Sequence, residues 1–156
     1  VAFDLVHEIK SLARLLNAAG VDYAICGGIA VAIHGVPRAT DDLDFLVRED
    51  DLPRAEEVAC SAGFTLRSTE IRFDVGKATE RRIVRLVKAV GEDHLVLDLV
   101  VVTPILTGVW SDRTNSPLGD VPICFVSRRG LIEMKQGAGK LQDLGDIERL
   151  EELHGK

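Results

Sequence analysis

The chain has 156 residues, 46% of them apolar and 28% charged, the balance of an ordinary folded domain long enough to bury a real core. Its formal net charge is −6, from 25 acidic and 19 basic residues, which argues against broad non-specific nucleic-acid binding but leaves room for a local basic groove. No apolar run reaches membrane-span length and no signal-peptide pattern is visible, so a cytoplasmic protein is expected.

Residues 4–19 carry Leu5, Val6, Ile9, Leu12, Leu15, Leu16 and Ala19 at helical spacing, and Gly20 stops the run. Residues 21–26 read as a short apolar strand, 28–34 as a short helix and 43–47 as a second strand. Asp51-Leu52-Pro53 opens a helix to about Ala62, with Pro near its first turn. Between Phe64 and Val75 one or two short strands are expected. Arg82–Val90 and His94–Val102 form a hairpin around Gly91-Glu92-Asp93. Residues 103–120 read as loop with at most one helical turn, and Pro122–Val126 as a last strand. Ser127 is a candidate N-cap for a helix over 128–138, and a second helix follows over 141–153, joined at Gly137 and Gly139. The expected architecture is α/β (α+β): one domain over 1–156, a mixed twisted sheet of about five strands with flanking helices, and a C-terminal helical pair over 127–156 packed on it. Cys26, Cys60 and Cys124 are far apart and odd in number, so free thiols in a reducing compartment are expected.

The chemistry concentrates between Gly27 and Asp44. Gly27-Gly28 opens a helix, where exposed amides can hold phosphate; no Ser is present at the turn, so the backbone would do the binding. The alternative is a tight strand-to-helix turn that needs glycine only to relieve strain. Asp42 and Asp44 are two apart on a strand and share a face, while Asp41 points away. Phe45-Leu46-Val47 continues into an apolar strand, so two like charges are held together in a way that is destabilising without a cation. Asp98 lies alone in Leu95-Val96-Leu97-Asp98-Leu99-Val100, which is costly unless it is paired or binds metal. With a two-residue hairpin loop of Glu92-Asp93, Asp98 would face Val87 with Arg85 on the diagonal, so a structural Asp98–Arg85 pair is a serious alternative. Arg38 can contact phosphate or balance the Asp cluster; Thr40 reads as a turn residue and His34 as a helix-end residue. Lys135 shares a stripe with Leu131 and Ala138, so its stem should pack while its amine either snorkels or reaches a phosphate.

The Gly27-Gly28, His34-Gly35 and Arg38-x-Thr40-x-Asp42-x-Asp44 series resembles the signature of the nucleotidyltransferase superfamily, the fold of DNA polymerase beta. Leu131-Ile132-Glu133-Met134-Lys135 and Ala138-Gly139-Lys140-Leu141-Gln142-Asp143 look like the tail of small prokaryotic nucleotidyltransferases, the AbiEii-type toxins among them. The resemblance spans residues 21–150, and Lys140 departs from it, since Arg is more usual there and Lys lacks the planar fork. It implies Asp42, Asp44 and Asp98 as catalytic carboxylates holding Mg²⁺ or Mn²⁺. It also implies Gly27, Gly28, Arg38, Thr40, Lys135 and Lys140 as nucleotide-binding residues, with Asp143 orienting Lys140 or a substrate hydroxyl. The expected reaction moves a nucleoside monophosphate from a nucleoside triphosphate to an acceptor hydroxyl on tRNA, protein or a small molecule such as an aminoglycoside. Two other classes fit the same residues: a non-catalytic nucleotide- or partner-binding module, and the toxin of a toxin–antitoxin pair, with an antitoxin or a second copy as partner.

Overall fold

In the computed structural model the described residues are 3–34, 42–138 and 150–151. Helix α1 (Leu5–Ala18) starts at Asp4, whose carboxylate accepts from the His7 amide at 3.2 Å, and it buries Ile9, Leu12, Ala13 and Leu16. Strand β1 (Ala24–Cys26) runs directly into α2 (Gly27–Ile33). Then come β2 (Asp42–Val47) and α3 (Leu52–Ser61), which has Pro53 in its first turn as expected. Short strands β3 (Leu66–Arg67) and β4 (Ile71–Phe73) precede the long hairpin of β5 (Arg81–Val90) and β6 (Asp93–Val101). Helix α4 (Thr107–Ser111) leads to β7 (Thr114–Leu118), β8 (Val121–Phe125) and α5 (Arg128–Ala138). Ser127 is the N-cap of α5, its Oγ accepting from the Gly130 amide at 3.0 Å.

The strands form one mixed sheet in the order β3-β5-β6-β2-β1-β8-β7, with β4 also paired to β5. β2 runs parallel to β6 and β1 parallel to β8; the other pairs are antiparallel. One face is apolar: Leu43, Phe45, Val84, Leu86, Leu95, Leu97 and Leu99 are all buried there. With the stripe of α1 and with Ala55 and Ala59 of α3 they belong to a single core cluster. Leu150 joins that cluster; the rest of the expected second C-terminal helix lies outside the described residues.

Three expectations are corrected. The sheet has eight strands rather than about five. Beyond the longer strands it includes β3 and β4, the two short strands expected between Phe64 and Val75, and β7, five residues expected to be loop and held extended by pairing. Residues 103–120 are not mainly loop. Thr114–Leu118 pairs with β8 across a turn at Gly119-Asp120, and as the sheet's outermost strand it tolerates Pro117. The hairpin register also moves. Val90 faces Asp93, so the two-residue loop is Gly91-Glu92, and Asp98 faces Arg85 rather than Val87. Gly91 takes φ +60 at the first central position of the turn, a conformation that Glu92 would adopt only with strain.

Candidate active site

The other sheet face carries a polar row. β1, β2, β6 and β5 lie side by side, and their registers put Cys26 opposite Asp44, Asp44 opposite Asp98, and Asp98 opposite Arg85. Paired residues point the same way, so all four share a face. Asp42 is on that face too, one pair along and opposite Val96. A parallel β2–β6 pair in this register therefore brings two carboxylates from distant parts of the chain next to one another.

The row is held from three sides. At its end, Arg85 Nε donates to Asp98 Oδ1 at 2.9 Å and Nη2 donates to Oδ2 at 3.0 Å, a two-pronged contact on a carboxylate that is only 8% exposed. At its start is Gly27, at φ +66; a Cβ built there would stand 2.1 Å from Asp44 Oδ2. Glycine is thus needed twice, for the backbone angle and for the space that Asp44 fills. From the helix layer, α5 supplies Lys135, which is buried at 6% exposed.

Electrostatics follow from this packing. Burial, then the charges of Asp98 and Asp42, push the Asp44 carboxyl up to about 7, while Lys135 and Arg85 pull it down. Burial first, then Asp44, also push the Cys26 thiol well above its ordinary value. Donating to the Asp98 carboxylate raises Arg85 above the usual guanidinium range. Among the described residues, no group of three or more His, Cys, Asp or Glu side chains stands close enough to hold a metal ion.

The row lies on the floor of a cleft of about 970 Å³ that is also lined by Gly27, Gly28 and Lys135. Six of the expected site residues, Gly27, Gly28, Asp42, Asp44, Asp98 and Lys135, therefore meet in one cleft. Arg38, Thr40 and Lys140 lie outside the described residues, as do Asp41 and Asp143. The alternative for Asp98 is realised as geometry, since its partner is Arg85. His34 Nε2 donates to the Val126 carbonyl at 2.9 Å and its ring meets Phe125 edge-on, in line with a structural residue. The sequence reading missed the far wall of the cleft, formed by Ile71, Phe73, Arg81 and Ile83. Its one sequence signal was the period-two series Arg81, Ile83, Arg85, which puts three side chains on the face of Asp98.

No family model matches the sequence, and no curated protein matches it significantly. Solved structures match the fold. TM1012 of Thermotoga maritima, a proposed nucleotidyltransferase, superposes with a TM-score of 0.65 over 93% of this chain and 91% of its own at 12% identity. LnuA, a lincosamide antibiotic adenylyltransferase solved with lincomycin bound, gives 0.64 over 94% and 96% at 15% identity. ANT(2")-Ia, solved with adenylyl-2"-tobramycin, gives 0.62 over 97% and 95% at 14% identity. The mixed sheet and its flanking helices match those of the nucleotidyltransferase fold, and this chain has that fold.

Proposed function

We propose that this single-domain chain is a divalent-metal-dependent nucleotidyltransferase that moves a nucleoside monophosphate from a nucleoside triphosphate to an acceptor hydroxyl. The observation that carries this is the in-register Asp44–Asp98 pair on the cleft floor, with Gly27 leaving space for Asp44 alone. Adjacent carboxylates, one half-buried and one buried, cost stability, and the Arg85 pair accounts for Asp98 but not for Asp44.

The donors fit a hard divalent cation such as Mg²⁺ or Mn²⁺. Asp42 and Asp44 offer only oxygen ligands, and burial, then the charges of Asp98 and Asp42, push Asp44 up to about 7, a cost to its charged form that a cation would offset. When bound, the metal would neutralise charge on the triphosphate and on the leaving pyrophosphate. The chain's own residues supply the rest. Gly27 and Gly28 amides would face phosphate oxygens, with Lys135 adding a positive charge from α5. Asp98 would take the acceptor's proton, and Arg85 would fix the orientation of its carboxylate. The acceptor oxygen bonds to the α-phosphorus, and the bond from that phosphorus to the β-phosphate's bridging oxygen breaks. Pyrophosphate leaves with the electron pair.

A second reading is favoured by one observation. Asp98 is engaged by Arg85 and no three-ligand group is preformed among the described residues, which suits a module that binds nucleotide without turnover. Pyrophosphate release separates the two. The full chain is incubated with Mg²⁺ or Mn²⁺, each of the four triphosphates, and mixtures of tRNA, protein and small hydroxyl compounds. A transferase releases pyrophosphate and adds a nucleotide mass to one acceptor, and Asp44→Asn and Asp98→Asn abolish both. Metal-dependent nucleotide binding with no release from any mixture would establish the binding module instead.

A further inference from the structure

The cleft floor continues past the carboxylates. On β5, Ile83 and Arg81 follow Arg85 at two-residue steps and share its face, and β4 places Ile71 opposite Ile83 and Phe73 opposite Arg81. Val100 of β6 stands on the other side of Ile83. Two further rows result, an apolar one of Ile71, Ile83 and Val100 and then a row of Phe73 and Arg81, and all five side chains line the cleft.

Arg81 differs from its neighbours. Arg72 is neutralised by Glu80, Arg82 by Glu49 and Glu70, and Arg85 by Asp98. Arg81 has no acidic partner among the described residues, and its guanidinium lies over the Phe73 ring, 5.7 Å from the centroid. A half-buried guanidinium that faces a cleft, rests on an aromatic ring and lacks a counter-charge is built to receive an anion. Glu133 also lines the cleft, but from α5 in the helix layer rather than from the sheet floor.

We propose that this end of the cleft binds the acceptor, and that the acceptor carries an anionic group joined through an apolar body to its reacting hydroxyl. The proposal rests on the nucleotidyltransferase reading for its direction. With the triphosphate at Gly27 and Gly28 beside β1, the β5–β4 side next to Asp98 is left for the acceptor. The sheet then acts as a ruler. Arg81 and Arg85 are four residues apart on one strand, so anion and hydroxyl are separated by about 13 Å at roughly 3.3 Å per residue. The body between them lies on the Ile71–Ile83–Val100 row. Polycationic acceptors such as aminoglycosides are disfavoured at that row, because the Arg81 guanidinium, which has no acidic partner among the described residues, would repel them.

Calorimetry on the full chain, with Mn²⁺ and non-hydrolysable analogues of the four triphosphates, tests this. The probes are ω-hydroxyalkyl phosphates of graded length, the matched carboxylates, and ω-hydroxyalkyl trimethylammonium ions. Each is titrated with and without the analogues. Expected is tighter binding of the phosphates or carboxylates, with an optimum at a chain spanning about 13 Å. Arg81→Met should weaken it by about ten- to a hundredfold, and Arg81→Lys should restore most of it. Neither change should alter affinity for the triphosphate analogues. No anion binding by the wild type, equal affinity for the ammonium series, or no effect of Arg81→Met overturns the proposal. Loss of analogue affinity in Arg81→Met also overturns it, by assigning Arg81 to the nucleotide. Absence of analogue binding by the wild type counts against the transferase reading alone, since the anion titrations without analogue still report on Arg81.

Discussion

At the scale of single residues, Gly27 and Asp44 are two halves of one contact. A Cβ at position 27 would lie 2.1 Å from Asp44 Oδ2 and 2.7 Å from its Cγ. Gly27→Ala should cost about 1–3 kcal/mol through the strained backbone angle, plus whatever the clash adds. In an Asp44→Ala background the clash shrinks, so the same change should cost at least about 1 kcal/mol less. Urea unfolding of the four proteins measures this, and equal costs in both backgrounds would show that the two residues do not compete for space. Asp44 also sets a pH dependence. Its folded-state value is raised from 3.8 to about 7, so the folded protein holds this proton to higher pH than the unfolded chain does. Its contribution is therefore fully present below pH 3.8 and is lost as pH rises through about 7. In EDTA, Asp44→Asn should gain stability over the wild type across that window, by about 1–3 kcal/mol at its upper end. A difference that stays flat with pH would show that Asp44 is not under this strain.

At the scale of elements, α5 delivers Lys135 to the cleft while Leu131 anchors the helix in the core. Lys135→Met keeps the stem and deletes the charge. Triphosphate affinity should fall by roughly 1.5–3 kcal/mol, about ten- to a hundredfold, and a nucleoside without phosphates should bind as before. Unchanged triphosphate affinity in calorimetry would remove Lys135 from the phosphate site. On the opposite side of the sheet, α1 is tied to β5 by Glu8, 8% exposed, whose two oxygens accept from Lys88 Nζ at 3.1 and 3.0 Å. Lys88→Met leaves that carboxylate buried without its cation and should cost about 1–3 kcal/mol by urea unfolding. The double change with Glu8→Gln should recover part of the loss. Additive costs would mean the pair contributes no coupling.

For the whole molecule, cation binding and folding are linked. Any divalent ion that binds only the folded chain should stabilise it, by about 2.7 kcal/mol at a hundredfold excess over its Kd. For a chain of this size that is a rise in Tm of about 5–10 °C. Mg²⁺ or Mn²⁺ should produce it in the wild type and not in Asp44→Asn, while Ala substitution of the exposed Asp120 should leave it intact. A full response in Asp44→Asn would move the cation away from the cleft.

The sequence by itself determined the elements whose signals are local. The α1 stripe, the Pro53 start of α3, the Ser127 cap and the apolar β5–β6 strands are all written within a few residues. So is the pairing of Asp42 with Asp44 on one face, because strand periodicity needs no partner to define it. The short strands between Phe64 and Val75 were legible, but the edge strand β7 was not. Thr114–Leu118 is polar and contains Pro117, and only the β8 edge makes it a strand. Nor was register. A shift of two residues in the hairpin leaves every side chain on its own face, so apolar patterning cannot tell Arg85 from Val87 as the neighbour of Asp98; the Gly91 turn decides it. Tertiary structure alone brought Cys26, Asp44, Asp98 and Arg85 into one row and stood Phe73 under Arg81. The Asp44–Asp98 contact joins strands that are far apart in the chain, and the strand order across the sheet is set by long-range burial, which no local pattern encodes.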